Sequence, residues 1–369
     1  MEFKINRETF LDGIQKTLGI VDKKTTIPIL NNVLLKADNN KIKIIATDRE
    51  IILISDYEAE ILEPGEITVS ARKMHEMIRE IQGETIHLVL KSNILKISAQ
   101  RAVYKIPGLS AEDFPSIADE QDILLHKIEG GIIKDLINKT SFAMAADETR
   151  KNLNGVLLEE GMDGVNHLLR MVATDGHRLA LARSLTPGHF FKAGKGIIIP
   201  RKGLMEIKKI IDENEEVKIG LHKNMFVMQT KNTVLKVSLV DADYPDYKKV
   251  IPTEKGIRVV LEKEYFVHAL RRMSVVSSER YGGVILSFSK GKLTLNSTNL
   301  DVGEATEEID IEYDGETIDS GFNVNYLIDA ISVVNKNNIV LEVGMGLKPS
   351  LIKQDEDDNY LCIIMPLKI

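Results

Sequence analysis

The sequence offers little that marks a secreted, membrane-bound or nucleic-acid-coating protein. Its one cysteine, Cys362, in 369 residues permits no internal disulfide, and without Cys partners it gives no thiolate zinc site. A buried apolar role is expected for it. No apolar run approaches the roughly 20 residues that a membrane helix needs, and the stretch Met1-Glu2-Phe3-Lys4-Ile5-Asn6-Arg7-Glu8 alternates like a strand rather than reading as a signal peptide. A cytoplasmic location is expected. Basic residues are not in excess: 48 Lys and Arg stand against 55 Asp and Glu, a formal charge of -7, which argues against a protein that simply coats nucleic acid. Any such binding needs a local surface. What is present is an ordinary globular balance, 43% hydrophobic and 28% charged, in a chain long enough for two or three domains of about 150 residues.

Three internal copies are visible. Alternating stretches that read as half-buried strands occur at Thr85–Asn93, Glu216–Asn224 and Asn338–Gly346, matched on Ile86, Val217 and Val340. Before each lies helical spacing, with Met74, Met77, Ile78 and Ile81, then Leu204, Ile207 and Ile211, then Val324, Leu327, Ile328 and Ile331. A third match, Ala46-Thr47-Asp48, Ala173-Thr174-Asp175 and Ser297-Thr298-Asn299, keeps the same order. Another helical stretch opens each copy, through Phe10, Ile14 and Leu18, then Ile133, Leu136 and Ile137, then Phe266, Ala269, Leu270 and Met273. Copies of roughly 120 residues are too long for a solenoid unit and long enough to bury a core each. The expected class is α+β, three tandem similar domains of two helices on antiparallel sheet. Boundaries are placed after the turns Asp113-Phe114-Pro115 and Asp243-Tyr244-Pro245, giving domains 1–122, 123–255 and 256–369.

Enzyme signatures are weak. Gly188 to Gly196 comes near a GxxxxGK frame, with five residues instead of four before Gly194-Lys195, but puts Gly where the magnesium-binding hydroxyl belongs, and it leads into the strand-like Ile197-Ile198-Ile199-Pro200. Ser70-Ala71-Arg72-Lys73 fits a loose SxxK pattern, for which helix capping by Ser70 is the simpler reading. A rival reading takes Asp48, Asp175 and His177 as the site of a metal-dependent nucleic-acid enzyme, yet the third copy has Asn299 and no repeated His accompanies the carboxylates. Turn formation by these Asp and Asn side chains explains them better. No catalytic residue, metal or cofactor is expected.

The stretch Ala173-Thr174-Asp175-Gly176-His177-Arg178-Leu179-Ala180 makes the sequence recognisable. It closely resembles the bacterial DNA polymerase III β subunit family of sliding clamps. Supporting matches run in family order over the whole chain: Ile27-Pro28-Ile29-Leu30-Asn31-Asn32, Phe142-Ala143-Met144-Ala145, Leu153-Asn154-Gly155, Pro200-Arg201-Lys202-Gly203, Asp243-Tyr244-Pro245-Asp246-Tyr247, Gly321-Phe322-Asn323-Val324-Asn325-Tyr326 and Met365-Pro366-Leu367-Lys368-Ile369. The resemblance implies a head-to-tail homodimer, a ring of six domains with helices lining the hole. Such a ring encircles duplex DNA without sequence preference, tethers the replicative polymerase, is opened by a clamp loader, and recruits other polymerases and repair proteins that carry clamp-binding peptides. Closure then supplies persistence, and weak phosphate-directed contacts let the duplex slide.

Family correspondence assigns DNA contacts to Lys24, Arg72, Arg150 and Arg201. About half of the other basic residues on the helical segments are expected simply to face solvent. The partner-peptide pocket is implied at Leu153, Thr174, Gly176, His177, Arg178, Leu179, Pro245 and Val250, with Asn323, Tyr326, Ile363, Met365, Pro366 and Leu367, and Tyr281 at its edge. By composition alone Leu153, Leu179 and Val250 read equally well as core. Aligned positions place Tyr104 near Val275 and Val276 at the dimer interface, with Lys73, Lys96 and Arg101 opposite Asp301 and Glu304. The acidic stretch from Glu304 to Glu316 suits an outer surface that repels DNA. Lys368 stands where the family commonly has Arg, which removes a planar guanidinium.

Overall fold

The computed structural model describes residues 1–21, 27–117, 123–186, 188–190, 196–254, 256–277, 283–355 and 357–368. The expected domain boundaries at 122 and 255, together with Lys24 and Tyr281, lie outside them. The described residues contain six helices: α1 (Arg7–Thr17), α2 (Ala71–Glu80), α3 (Gly130–Thr140), α4 (Arg201–Ile210), α5 (Lys263–Val276) and α6 (Val324–Ser332). Each of the three copies begins with a short strand and a helix, runs through several strands to a second helix, and ends on three strands. The helical spacing and the alternating stretches in the sequence correspond to these elements.

Local chemistry fixes the helix starts. Asn6 caps α1, its side chain accepting from the Thr9 N–H at 3.1 Å, and Ser70 caps α2 by accepting from the Lys73 N–H at 3.4 Å. Ser70 is therefore a cap, as the simpler reading has it. Phe10 and Ile14 of α1 and Met74 and Ile78 of α2 are fully buried, each contributing about 1.5–3 kcal/mol. Phe10 meets Phe3 edge to face at 6.0 Å.

The chain divides into two compact units, one of Met1–Gly131, Phe190–Lys192 and Lys202–Leu239, the other of Ile132–His189, Ala193–Arg201 and Val240–Ile369. In the first unit a five-stranded sheet has the order Glu60–Glu63, Glu2–Asn6, Thr85–Lys91, Ile94–Ala99, Ala102–Pro107. Its eight-stranded sheet runs His126–Glu129, Glu216–His222, Met225–Gln229, Thr233–Ser238, Ile51–Glu58, Lys41–Thr47, Asn32–Asp38, Gly65–Ser70. In the second unit the eight-stranded order is Ile197–Pro200, Gly155–Asp163, Asn166–Thr174, Arg178–Thr186, Asp357–Ile364, Ser350–Gln354, Asn338–Val343, Ile257–Glu262. A four-stranded sheet there runs Gly303–Asp310, Lys292–Asn299, Gly283–Ser289, Ile318–Asn323. All the pairings are antiparallel.

The sheets differ from the expectation in one respect. Each eight-stranded sheet draws four strands from one copy and four from the next, so the copies are joined by backbone ladders. In one seam Ile51–Glu58 pairs with Thr233–Ser238, from Val237 opposite Ile51 to Thr233 opposite Ser55, where the two hydroxyls meet at 2.9 Å. In the other, Arg178–Thr186 pairs with Asp357–Ile364. Strand register also shifts one match: Leu261 pairs with Ile339 just before α5, as Ile5 pairs with Ile86 before α1, so the third copy aligns on Ile339 rather than Val340.

Candidate functional site

The site is built on the turn between the strands Asn166–Thr174 and Arg178–Thr186. The Asp175 carboxylate accepts from the N–H groups of His177 at 2.8 Å and Arg178 at 3.0 Å. The Thr174 hydroxyl accepts from the Gly176 N–H at 3.1 Å and donates to the Arg178 carbonyl at 2.6 Å. Gly176 has φ 92°, a conformation that favours glycine. Asp48 repeats the pattern on the N–H groups of Glu50 and Ile51, and Asn299 accepts from Asp301 at 3.0 Å. In all three copies the Thr-Asx pair is thus a turn that launches the next strand, which accounts for these side chains without a metal.

The seam strand then brings the chain's distant end to this turn. Leu179 faces Ile363 across the ladder and Arg178 faces Ile364; beyond the strand, Met365 N–H donates to the His177 carbonyl at 2.9 Å and Leu367 N–H to that of Gly321 at 2.8 Å. Leu179 and Ile363, both buried, pack in one cluster with Leu157, Val172, Leu181, Ile198, Tyr247 and Leu351. Leu153 is also buried, whereas Val250 is 47% and Met365 40% exposed. Val250 and Met365 border a cavity of 530 Å³. Pro245 borders a neighbouring one of 290 Å³ beside Tyr244 and Tyr247. His177 and Gly176 are exposed at the turn.

Arg178 is placed differently from its neighbours. Its guanidinium donates to Asp329 at 2.7 Å, to the Phe142 carbonyl at 2.6 Å and to Asp175 at 3.1 Å, and it stacks over the Tyr326 ring at 4.3 Å. Burial opposes the charge, but Asp329 and Asp175 outweigh it and hold the pKa above the ordinary arginine value. It braces the turn against α6 rather than presenting free donors. Asn323 likewise caps α6, accepting from the N–H groups of Asn325 and Tyr326, while Tyr326 is half-exposed.

The basic residues separate by their partners. Arg150 donates to the Asp175 carbonyl at 3.0 Å, which sets it beside the turn. Lys73 pairs with Glu76 at 2.8 Å, Lys139 with Asp135 at 2.7 Å, and Lys202 with Asp48. Arg272 pairs with Glu307, and Lys263 donates to the Val334 carbonyl at 2.6 Å. Arg72 at the start of α2 and Arg201 at the start of α4 make no ion pair among the described residues.

At the ends of the smaller sheets lie the residues assigned to an interface. Tyr104 sits on the outermost strand Ala102–Pro107, with Lys96 and Arg101 on its hairpin, and Glu304 sits on the outermost strand Gly303–Asp310, with Asp301 just before it. Val275, near the end of α5, is 76% exposed, and Val276 is half-buried beside it. Sequence reading passed over the apolar Leu300 and Val302, 101% and 61% exposed in the same region; a Leu and a Val in an Asn-Leu-Asp-Val turn are the signal that was there to read.

Comparison with known proteins agrees with this arrangement along the whole chain. Family models described as the N-terminal, central and C-terminal domains of the DNA polymerase III beta subunit match residues 1–118, 127–246 and 248–368. The beta sliding clamp of Pseudomonas aeruginosa is 33% identical over 372 residues, covering 100% of both chains. A crystal structure of a P. aeruginosa sliding clamp bound to griselimycin matches with TM-score 0.92 at 32% identity, and one from Bartonella birtlesii bound to the same ligand with TM-score 0.95 at 29% identity, both covering 100% of each chain. With three tandem clamp domains and this turn and terminus brought together, the chain belongs to the DNA polymerase III beta subunit family, the non-catalytic sliding clamps of that polymerase.

Proposed function

We propose that two copies of this chain close head to tail into a ring that encircles duplex DNA and holds the replicative polymerase to it. The observation that carries this reading is the seam rule. Twice in the chain, the strand launched by a Thr-Asx turn pairs with the last strand of the following copy. One strand of each kind is left over: Gly303–Asp310 after the Asn299 turn, and Ala102–Pro107 at the end of the first copy, each outermost in its sheet. A second copy supplies both partners. Val275, Val276 and Tyr104 then form the apolar part of the contact, and Lys73, Lys96 and Arg101 face Asp301 and Glu304.

Within this reading the domains are 1–122, 123–255 and 256–369. Arg72 and Arg201, with Lys24 and Arg150, are the DNA-facing cations, their contacts limited to phosphates so that the ring slides. The pocket is formed by Leu153, Thr174, Gly176, His177, Leu179, Pro245 and Val250, with Ile363, Met365, Pro366 and Leu367, and Tyr281 at its rim. Asn323, Tyr326 and Arg178 hold its floor. It takes peptides with Leu or Phe anchors from the polymerase, the clamp loader and repair proteins. The ring works in the cytoplasm; no helix among the described residues is long and apolar enough to cross a membrane. Solution mass with low-resolution imaging tests the proposal: a closed two-copy ring is expected, and a monomer or an open assembly at working concentration refutes it.

A further inference from the structure

The sheet face that carries Leu179 continues beyond the pocket. Side chains alternate along a strand, so Leu179, Leu181 and Arg183 share one face, with Arg183 about 13 Å beyond Leu179 at roughly 3.3 Å per residue. A second cavity of 360 Å³ opens there and shares Lys248, Ile251, Pro252 and Leu351 with the 530 Å³ cavity bordered by Val250 and Met365. The two are contiguous across that wall. Four cations line the second cavity, Arg170, Arg183, Lys248 and Lys353, against one carboxylate among the described residues, Asp358.

Two of those cations already have partners. Arg170 donates to Glu159 at 2.5 Å and to the Tyr247 hydroxyl at 3.2 Å, and Lys353 pairs with Glu342 at 3.1 Å. Arg183 has none among the described residues, and its Nε is buried without an acceptor. Lys248 is exposed, its ammonium 6.0 Å from the Tyr247 ring centroid. A buried donor without an acceptor is costly to keep, and a guanidinium satisfies that need best with a carboxylate. Leu181, Ile251 and Leu361 give the cleft apolar sides suited to a peptide backbone rather than to a duplex.

We propose that this cleft receives an Asp or Glu side chain of the partner segment whose apolar anchors enter the neighbouring pocket, with Arg183 and Lys248 as its cationic seat. The inference rests on the pocket reading given above. An extended segment needs about four residues between anchor and carboxylate to span the distance. The recognised partner is thus an apolar-anchored peptide with an acidic flank.

The test uses the full-length protein and labelled synthetic peptides carrying a Leu-Phe anchor with a Glu run on one side or the other, each with a Gln counterpart. One Glu peptide is expected to bind about tenfold tighter than its Gln twin, the increment of one charge-assisted hydrogen bond. That advantage should vanish in Arg183→Gln and shrink with added salt. Equal binding of the Glu and Gln peptides to the unmodified protein overturns the inference while leaving the pocket intact, as does an advantage that survives Arg183→Gln. Displacement of the Glu peptide from the cleft by a duplex oligonucleotide overturns it in favour of a phosphate site. Failure of every peptide to bind refutes the pocket reading, and this inference with it.

Discussion

If Arg178 braces the turn, removing its guanidinium should loosen the seam that holds the C-terminal strand, and Cys362 is placed to report it. Cys362 faces Ala180 across that seam and is fully buried, its thiol pushed by burial up to about 12, so a thiol reagent reaches it only when the seam opens. Arg178→Met keeps most of the side-chain volume and deletes three charged hydrogen bonds. Charged hydrogen bonds contribute about 1.5–3 kcal/mol each, but the losses here are unequal. Asp329 is 43% exposed on its side chain and rehydrates, so its share is discounted. Asp175 keeps the N–H groups of His177 and Arg178. The Phe142 carbonyl loses its guanidinium partner, and the stacking on Tyr326 adds about 0.5–1 kcal/mol. A total near 3 kcal/mol follows, which in the limit of fast reclosing speeds labelling about a hundredfold. The measurement is the native-state labelling rate of Cys362 at fixed pH, since the opened thiol ionises near its ordinary value of about 8.5. Arg178→Lys, which keeps the charge and loses the fork, should fall between. A Met variant labelled within twofold or threefold of the parent would show that the guanidinium does not hold the seam.

Four further outcomes are expected. Val275→Asp with Val276→Asp should give monomers by light scattering, because closing the ring would bury unpaired charge; an unchanged dimer removes these residues from the interface. Loaded protein should persist far longer on circular than on linear DNA, and equal retention on linear DNA with free ends rules out a topological hold. Deleting residues 365–369 takes away the hydrogen bonds to His177 and Gly321 but leaves Ile363 and Ile364 in the ladder; titration should show peptide binding lost with the dimer intact, and a truncated dimer that binds as before places the pocket elsewhere. Gly13→Ala would set a Cβ 2.6 Å from the Tyr57 ring and 2.8 Å from Ile44, an overpacking cost of about 1–3 kcal/mol that denaturant unfolding should register, with an unshifted midpoint arguing that α1 slides freely.

What the sequence made legible were features written in side chains. Helical spacing through Phe10 and Ile14 or Leu204 and Ile207 reports a buried face directly, and the Thr-Asx pairs announce their turns because those oxygens bond the local backbone. The seams were not legible, since a ladder edge is a property of N–H and C=O groups that every residue carries. The shift from Val340 to Ile339 has a related cause: both are buried in the run Ile339-Val340-Leu341, and a continuous apolar run does not mark its phase. Among the site residues, the family resemblance names Arg178 together with Leu179, while alternation along the strand sends these two neighbours to opposite faces. The same alternation carried one step further would have drawn attention to Arg183.

The seam also bears on why three copies in one chain lead to an assembly of two chains. Three copies joined in tandem satisfy two seams and leave one strand of each kind open, and an open edge is a standing invitation to pair with another chain. Here the edges are not short, six and eight residues, and proline enters only at the last position of one, Pro107: Val103 and Val302, near the two edges, are 53% and 61% exposed. Their charges are opposite, Lys105 and Arg101 at one, Glu304 and Asp301 at the other. In the proposed ring like edges would therefore repel, and each would accept the other kind. A head-to-tail contact of that sort gives either a ring or a filament, depending on whether its rotation closes. Six equivalent seams close if each turns the path by a sixth of a circle, so the same geometry that fuses the copies within the chain is the one that a second chain must repeat.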